Sequence, residues 1–155
     1  MSWVERGGDA VPFTVCDGDS IPDDYDYLVI DTAARPTDDE LTALAETSDL
    51  LVIPCTPTTF SLEATIGTLA TLPTDRYKIL LTVVPPKPSR EGEKAQMALS
   101  KFELPVFKTM IRRFTAYLKA ENSGIPVSQV RDPKAADAWA DYEAVGKEIL
   151  KAVKK

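Results

Sequence analysis

The stretch Tyr25-Asp26-Tyr27-Leu28-Val29-Ile30-Asp31-Thr32, followed by Ala33-Ala34-Arg35-Pro36, decides how the rest of the chain reads. Leu28, Val29 and Ile30 form a continuous apolar run. That pattern predicts a strand buried on both faces, as in a parallel sheet covered by helices. The run ends in a carboxylate, then small residues, then a proline. Such a strand delivers Asp31 to the carboxyl edge of the sheet, where open α/β sheets bind ligands. Capping a turn or the next helix would use the same Asp, and the stretch alone leaves both readings open.

Outward from this run the chain alternates between strand and helix patterns. Upstream, residues 2–8 resemble the tail of a helix stopped by Gly7-Gly8, and Pro12–Cys16 alternates as a short strand before an acidic loop, residues 17–24. Downstream, Thr37 is an N-cap with Glu40 completing a capping box, and Leu41, Leu44 and Ala45 form the apolar face of the helix that follows. Residues 49–54 read as a second buried strand. A helix over 61–72 follows, with Leu62, Ile66 and Leu69 on one face. Residues 77–84 read as a third buried strand cut off by Pro85-Pro86. A helix over 89–101 turns Ala95, Leu99 and Phe102 inward, and 106–111 is a short strand. A helix over 114–122 is closed by Gly124. The long final helix, 134–153, repeats Trp139, Tyr142, Val145, Ile149 and Val153 at helical spacing, with Trp139 and Tyr142 as core aromatics.

Strands and helices alternating at these lengths mean βαβ units and a mostly parallel sheet flanked by helices. The fold class is α/β, in one domain spanning 1–155.

Composition agrees with an ordinary globular chain: 155 residues, 44% hydrophobic and 27% charged. No apolar run approaches the ~20 residues of a membrane span, and the N-terminus has no signal-peptide core. A cytoplasmic protein is the expectation. The absence of histidine excludes His triads and His metal sites, and Cys16 with Cys55 makes no disulfide framework. Charge is divided along the chain. Residues 1–60 carry Arg6 and Arg35 against thirteen carboxylates, a net of −11, while 61–155 carry sixteen basic and eleven acidic groups, a net of +5. The acidic mean argues against constitutive nucleic-acid binding but leaves room for a basic patch in the second half.

Several segments together resemble the ParA/MinD family of partition ATPases, the deviant Walker P-loop ATPases. Tyr-Leu-Val-Ile-Asp-Thr at 27–32 is similar to their Walker B strand. Asp-Leu-Leu-Val-Ile-Pro at 49–54 with Thr56-Pro57 resembles the next strand, and Ile-Leu-Leu-Thr at 79–82 the strand leading to the nucleotide base. Met-Ile-Arg-Arg-Phe-Thr-Ala-Tyr at 110–117, then Gly124-Ile125-Pro126-Val127, resembles a late strand, helix and Gly-x-Pro-Val segment, and 138–149 the last helix. The likeness covers about residues 1–150. The loop Ala34-Arg35-Pro36 and the run at 85–89 look closest to short cyanobacterial-type members.

The resemblance implies a Rossmann-like P-loop fold and an ATPase for partition or positioning of plasmid, chromosome or other cargo. It implies ATP/ADP and Mg²⁺ as cofactors, an ATP-dependent homodimer, non-specific DNA, a ParB-like or cargo-adaptor partner, and nucleoid association. By the same resemblance Asp31 is the catalytic and Mg²⁺-orienting carboxylate, and Thr32, Thr82, Arg112 and Arg113 lie around the nucleotide. Lys108, Arg112, Arg113 and Lys119, with Lys87 and Arg90, are candidate DNA-phosphate contacts; as solvated cations they need no such role.

One departure matters. No Gly-x-x-x-x-Gly-Lys-Ser/Thr occurs anywhere in the sequence, so the backbone cradle and lysine that P-loop proteins use for phosphate are missing. The expectation is that Met1 corresponds to an internal position of the family, with the phosphate-loop strand lying upstream. That strand would sit between 27–31 and 49–54. Without it the chain is expected to be destabilised, or to close up without a nucleotide site. A non-catalytic interaction fragment is therefore an alternative. A phosphoacceptor receiver built on Asp17, Asp19, Asp31 and Thr82 is another, but eleven residues between Asp19 and Asp31 leave no room for its helix and strands.

Overall fold

The computed structural model describes residues 3–32 and 36–154, without the side chains of Val4, Asp9 and Asp38. Met1, Ser2, Ala33, Ala34, Arg35 and Lys155 lie outside the described residues. In chain order the elements are α1 (Trp3–Gly7), a 3-10 turn (Gly8–Ala10), α2 (Asp38–Thr47), β1 (Leu51–Cys55), α3 (Thr59–Leu69), β2 (Tyr77–Leu81), α4 (Glu91–Lys101), α5 (Ala116–Ser123), a 3-10 turn (Val127–Gln129) and α6 (Ala135–Val153).

The molecule is assembled on β2. Its residues alternate between two cores because successive side chains of a strand point to opposite faces. Ile79 and Leu81 lie among Cys55, Val84, Ala95 and Leu99, with Leu62, Ile66 and Leu69 of α3 against them. Leu80 lies on the other side with Phe107, Ile111 and Val145 of α6. A third cluster joins α5 to α6 through Ala116, Ala120, Val127 and Ala138. The result is a parallel sheet between helices, an α/β arrangement consistent with a Rossmann-like fold.

That sheet is smaller than the sequence pattern predicts. Among the described residues it has two strands, β1 and β2, paired in parallel from Leu51–Tyr77 to Cys55–Leu81. The short strand expected over 106–111 is reduced to isolated parallel bridges, Ile79 with Val106 and Val84 with Arg112. The cause lies on α6. The Glu148 carboxylate accepts the N–H groups of Lys108 (3.0 Å) and Thr109 (2.8 Å), drawing the backbone away from β2 between the two bridges.

The larger correction concerns 27–31. No strand forms there, and the run expected to be buried is exposed: Leu28 41%, Val29 90% and Ile30 54%. An apolar run becomes a buried strand only when a neighbour takes its backbone groups and covers its faces. Among the described residues no such neighbour is present. The segment 12–16 is likewise neither paired nor buried. Among the described residues nothing pairs with the outer edge of β1. Leu51 donates to Arg76 O on the β2 side, so the backbone groups of Leu50, Val52 and Pro54 point away from β2. Pro54 has no N–H to offer there, and an edge position is where a strand tolerates proline.

Local signals fared better. Thr37 makes the full capping box with Glu40, side chain to backbone in both directions (2.7 and 3.3 Å). Gly124 closes α5 at φ +68°, the left-handed C-cap that glycine adopts without penalty. It also abuts Gly7, and a Cβ on either glycine would overlap the other's backbone. That close approach seats α1 on the end of α5, helped by Arg6 Nε donating to Glu121 O. Three expected inward aromatics are displaced. Phe102 is the C-cap of α4, and Glu103 at φ +57° turns the chain there, leaving Phe102 65% exposed. Trp139 and Tyr142 flank the buried stripe of α6, which runs through Ala138, Asp141 and Val145, and both remain partly exposed.

Candidate functional site

The carboxyl end of β2 is where the fold brings sequence-predicted site residues together. Thr82 follows β2 directly, and its N–H donates to Cys55 O (2.8 Å), tying the ends of both strands. Two residues on, Val84 bridges to Arg112, and the Arg113 N–H donates to Val84 O (2.7 Å). Thr82, Arg112 and Arg113 therefore share one edge of the sheet, the edge where open α/β sheets place ligands.

Arg112 is committed to structure. Its Nη2 (2.8 Å) and Nε (3.0 Å) donate to the Asp141 carboxylate, and its backbone N–H adds another bond at 3.0 Å. Nη2 also reaches Asp137 O, and the guanidinium lies 5.0 Å from the Phe114 ring centre. The hydrogen bonds that Arg112 donates to Asp141 raise its pKa above its ordinary value, against the opposing effect of burial. Beside it, burial pushes the Tyr117 phenol up, as it does Tyr142, and the two rings meet edge to face at 5.9 Å. Arg113 is exposed and forms no ion pair with a described residue.

Asp31 and Thr32 are not part of this edge. Both are exposed, and neither forms a hydrogen bond with another described residue. Asp17 bonds Ser20 at 2.6 Å, and no group of three or more acidic, Cys or His side chains among the described residues could hold a metal. Among the described residues no cluster of the kind expected for a Mg²⁺ centre or a receiver-type acidic pocket is found. Of the candidate DNA contacts, Lys119 is paired with Asp132 (2.7 Å), Arg112 with Asp141 and Arg90 with Glu93, leaving Lys87, Lys108 and Arg113 as exposed cations without a carboxylate partner among the described residues.

Two carboxylates that organise this region were not singled out from the sequence. Asp141 and Glu148 sit seven residues apart on the inward stripe of α6, in register with Ala138 and Val145. A carboxylate at a buried helical position is the signal that could have found them. Burial works to raise the Glu148 pKa, but the N–H groups of Lys108 and Thr109 outweigh it and hold the carboxyl below its ordinary value.

No established family profile matches the chain. Among curated proteins it is similar to "Maintenance of carboxysome distribution protein A" of Gloeobacter kilaueensis, with 31% identity over 158 aligned positions. The alignment covers 95% of this chain and 73% of the relative. The chain belongs to the carboxysome distribution protein A family. That family consists of ParA-like positioning proteins, so the partition-type resemblance holds at this level. The likeness extends over nearly all of the chain. No described helix is long and apolar enough to cross a membrane.

Against the family's expected cofactors, the residues present fit on one side only. Thr82 and Arg113 offer polar groups at the sheet edge where the resemblance expects the base. The phosphate side has no Gly-rich loop, and Asp31 stands in a segment outside the sheet. ATP with Mg²⁺ does not fit the groups assembled here, so no step of hydrolysis is derived through it.

Proposed function

We propose that the chain takes part in positioning intracellular cargo as a ParA-like protein, and that its 155 residues supply the base-side and partner-facing portion of such a protein. The observation that carries this reading is the 31% identity extending over 95% of the chain. The parallel β1–β2 pair with Thr82, Arg112 and Arg113 at its carboxyl edge supports it.

In this reading Asp31 becomes the Mg²⁺-orienting carboxylate, and Thr32 its neighbour, only when a phosphate-loop strand lies between 27–31 and the open edge of β1. Leu50 and Val52 offer that strand backbone partners. ATP and Mg²⁺ binding, an ATP-dependent homodimer, an adaptor of the ParB type and non-specific DNA belong to the completed assembly in the cytoplasm. DNA contact there rests on Arg113, Lys108 and Lys87, since Arg112, Lys119 and Arg90 are held by carboxylates. The second reading, a non-catalytic interaction protein, is favoured by the exposure of Asp31 and of the run before it.

Complementation separates the two. The host is a cell lacking its own carboxysome distribution protein A, with fluorescent carboxysomes. The 155-residue chain alone is expected to leave them clumped. The chain joined to a strand and loop of the type Lys-Gly-Gly-x-Gly-Lys-Thr is expected to restore even spacing. Clumping with both proteins would sink the positioning reading.

A further inference from the structure

A groove of about 570 Å³ runs between α4 and the segment beside β2, lined by Gln96, Met97, Lys101, Leu104, Val106 and Lys108. Its floor is apolar, from Met97, Leu104 and Val106. Its rim carries two ammonium groups, Lys101 and Lys108, neither of which is paired with a carboxylate among the described residues. The backbone along the floor is also available. Ile79 N–H donates to Pro105 O and Phe107 N–H to Ile79 O, so the amide and carbonyl of Val106 face away from β2. No other described residue takes them. Gln96 closes one end by donating to Phe107 O (2.8 Å) and Lys108 O (3.2 Å).

The same chain carries a segment of complementary chemistry. Ile21-Pro22-Asp23-Asp24-Tyr25-Asp26-Tyr27 contains three carboxylates and no cation. It belongs to no helix or strand and makes no backbone hydrogen bond with the described residues. Tyr25 and Tyr27 are exposed, at 53% and 61%. In extended form the alternation puts both tyrosines on one face and Asp24 and Asp26 on the other.

We propose that this groove is a self-association site and that its occupant is the 21–27 segment of a second copy of the chain. The segment lies along the groove as an added strand beside Val106. Tyr25 and Tyr27 cover Met97 and Leu104, where a thioether against aromatic rings is a favourable contact. Asp24 and Asp26 meet Lys101 and Lys108. Strand addition supplies main-chain bonds, and the side chains set which strand is accepted. The groove is favoured over the open edge of β1, whose residues Leu51–Cys55 include no cation and where Pro54 has no N–H to donate. The proposal rests on the exposure of 21–27 and on the groove, and does not require the nucleotide reading above.

Analytical ultracentrifugation of the 155-residue chain, from low micromolar to several hundred micromolar, tests it. Concentration-dependent association that weakens with added salt is expected. Reversing the groove (Lys101→Glu with Lys108→Glu) or the segment (Asp24→Lys with Asp26→Lys) is expected to weaken association by about tenfold, the scale of two exposed ion pairs. All four changes in one chain restore the pairing and most of the association. Thermal transitions by circular dichroism confirm that each variant folds. A monomer at every concentration overturns the proposal, whether the segment then folds onto its own groove or awaits a different protein. So does association that the combined variant fails to recover.

Discussion

Replacing Phe107 with alanine is expected to cost about 3–5 kcal/mol, the range for emptying a fully buried aromatic site. Phe107 is 0% exposed and packs with Leu80, Ile111 and Val145, joining the second face of β2 to α6. Lys78 Nζ also lies 4.6 Å from its ring centre, adding a cation–π contact that alanine removes. Total stability of a domain is about 5–15 kcal/mol, so the variant approaches the limit of folding. For a chain of this length the melting temperature is expected to fall by about 10 °C. Phe107→Leu, which refills part of the volume, is expected to recover more than half of the loss. An unchanged melting temperature for Phe107→Ala would contradict the two-faced packing of β2.

The second large effect is expected at Asp141. Only 8% exposed, its carboxylate accepts from the Arg112 guanidinium and from the Arg112 backbone N–H. Alanine leaves both donors unsatisfied and removes the tie between α6 and the segment beside β2. Breaking a buried pair from one side costs about 3–5 kcal/mol. The Arg112 side chain is 39% exposed, so water takes up part of the lost contact. A loss of about 2–3 kcal/mol follows. Asp141→Asn keeps the shape and an acceptor for the backbone N–H, and is expected to lose about half as much. Urea unfolding of Asp141→Ala, Arg112→Ala and the double variant would measure the coupling directly. Additive losses would show that the two residues do not act as a pair.

What could be read from residues alone follows from how local each cause is. The Thr37–Glu40 box and the Gly124 stop are decided within a few residues, and both form as expected. The β1–β2 pair and α6 were visible because their apolar periodicity extends over whole elements. Leu28-Val29-Ile30 has the composition of a buried strand, but burial depends on neighbours that the run itself does not specify. Arg112 read as a free cation because its partner, Asp141, lies 29 positions away. The segment 106–111 read as a strand because the demand of Glu148 on its amides is likewise non-local. Placement of Thr82, Arg112 and Arg113 at one sheet edge was legible in outline; the commitment of Arg112 to α6 was not.

The stretch 25–32 therefore carries a conditional meaning. Asp31 has the sequence setting of a Walker B carboxylate and the structural setting of an exposed residue on an unpaired segment. Calorimetric titration with Mg-ATP puts this most directly to the test. The account predicts no saturable binding by the 155-residue chain. The chain joined to a family-type phosphate-loop strand is predicted to bind saturably, and to bind more weakly once Asp31→Asn is introduced. Saturable Mg-ATP binding by the 155 residues alone, together with a cooperative thermal transition, would contradict it.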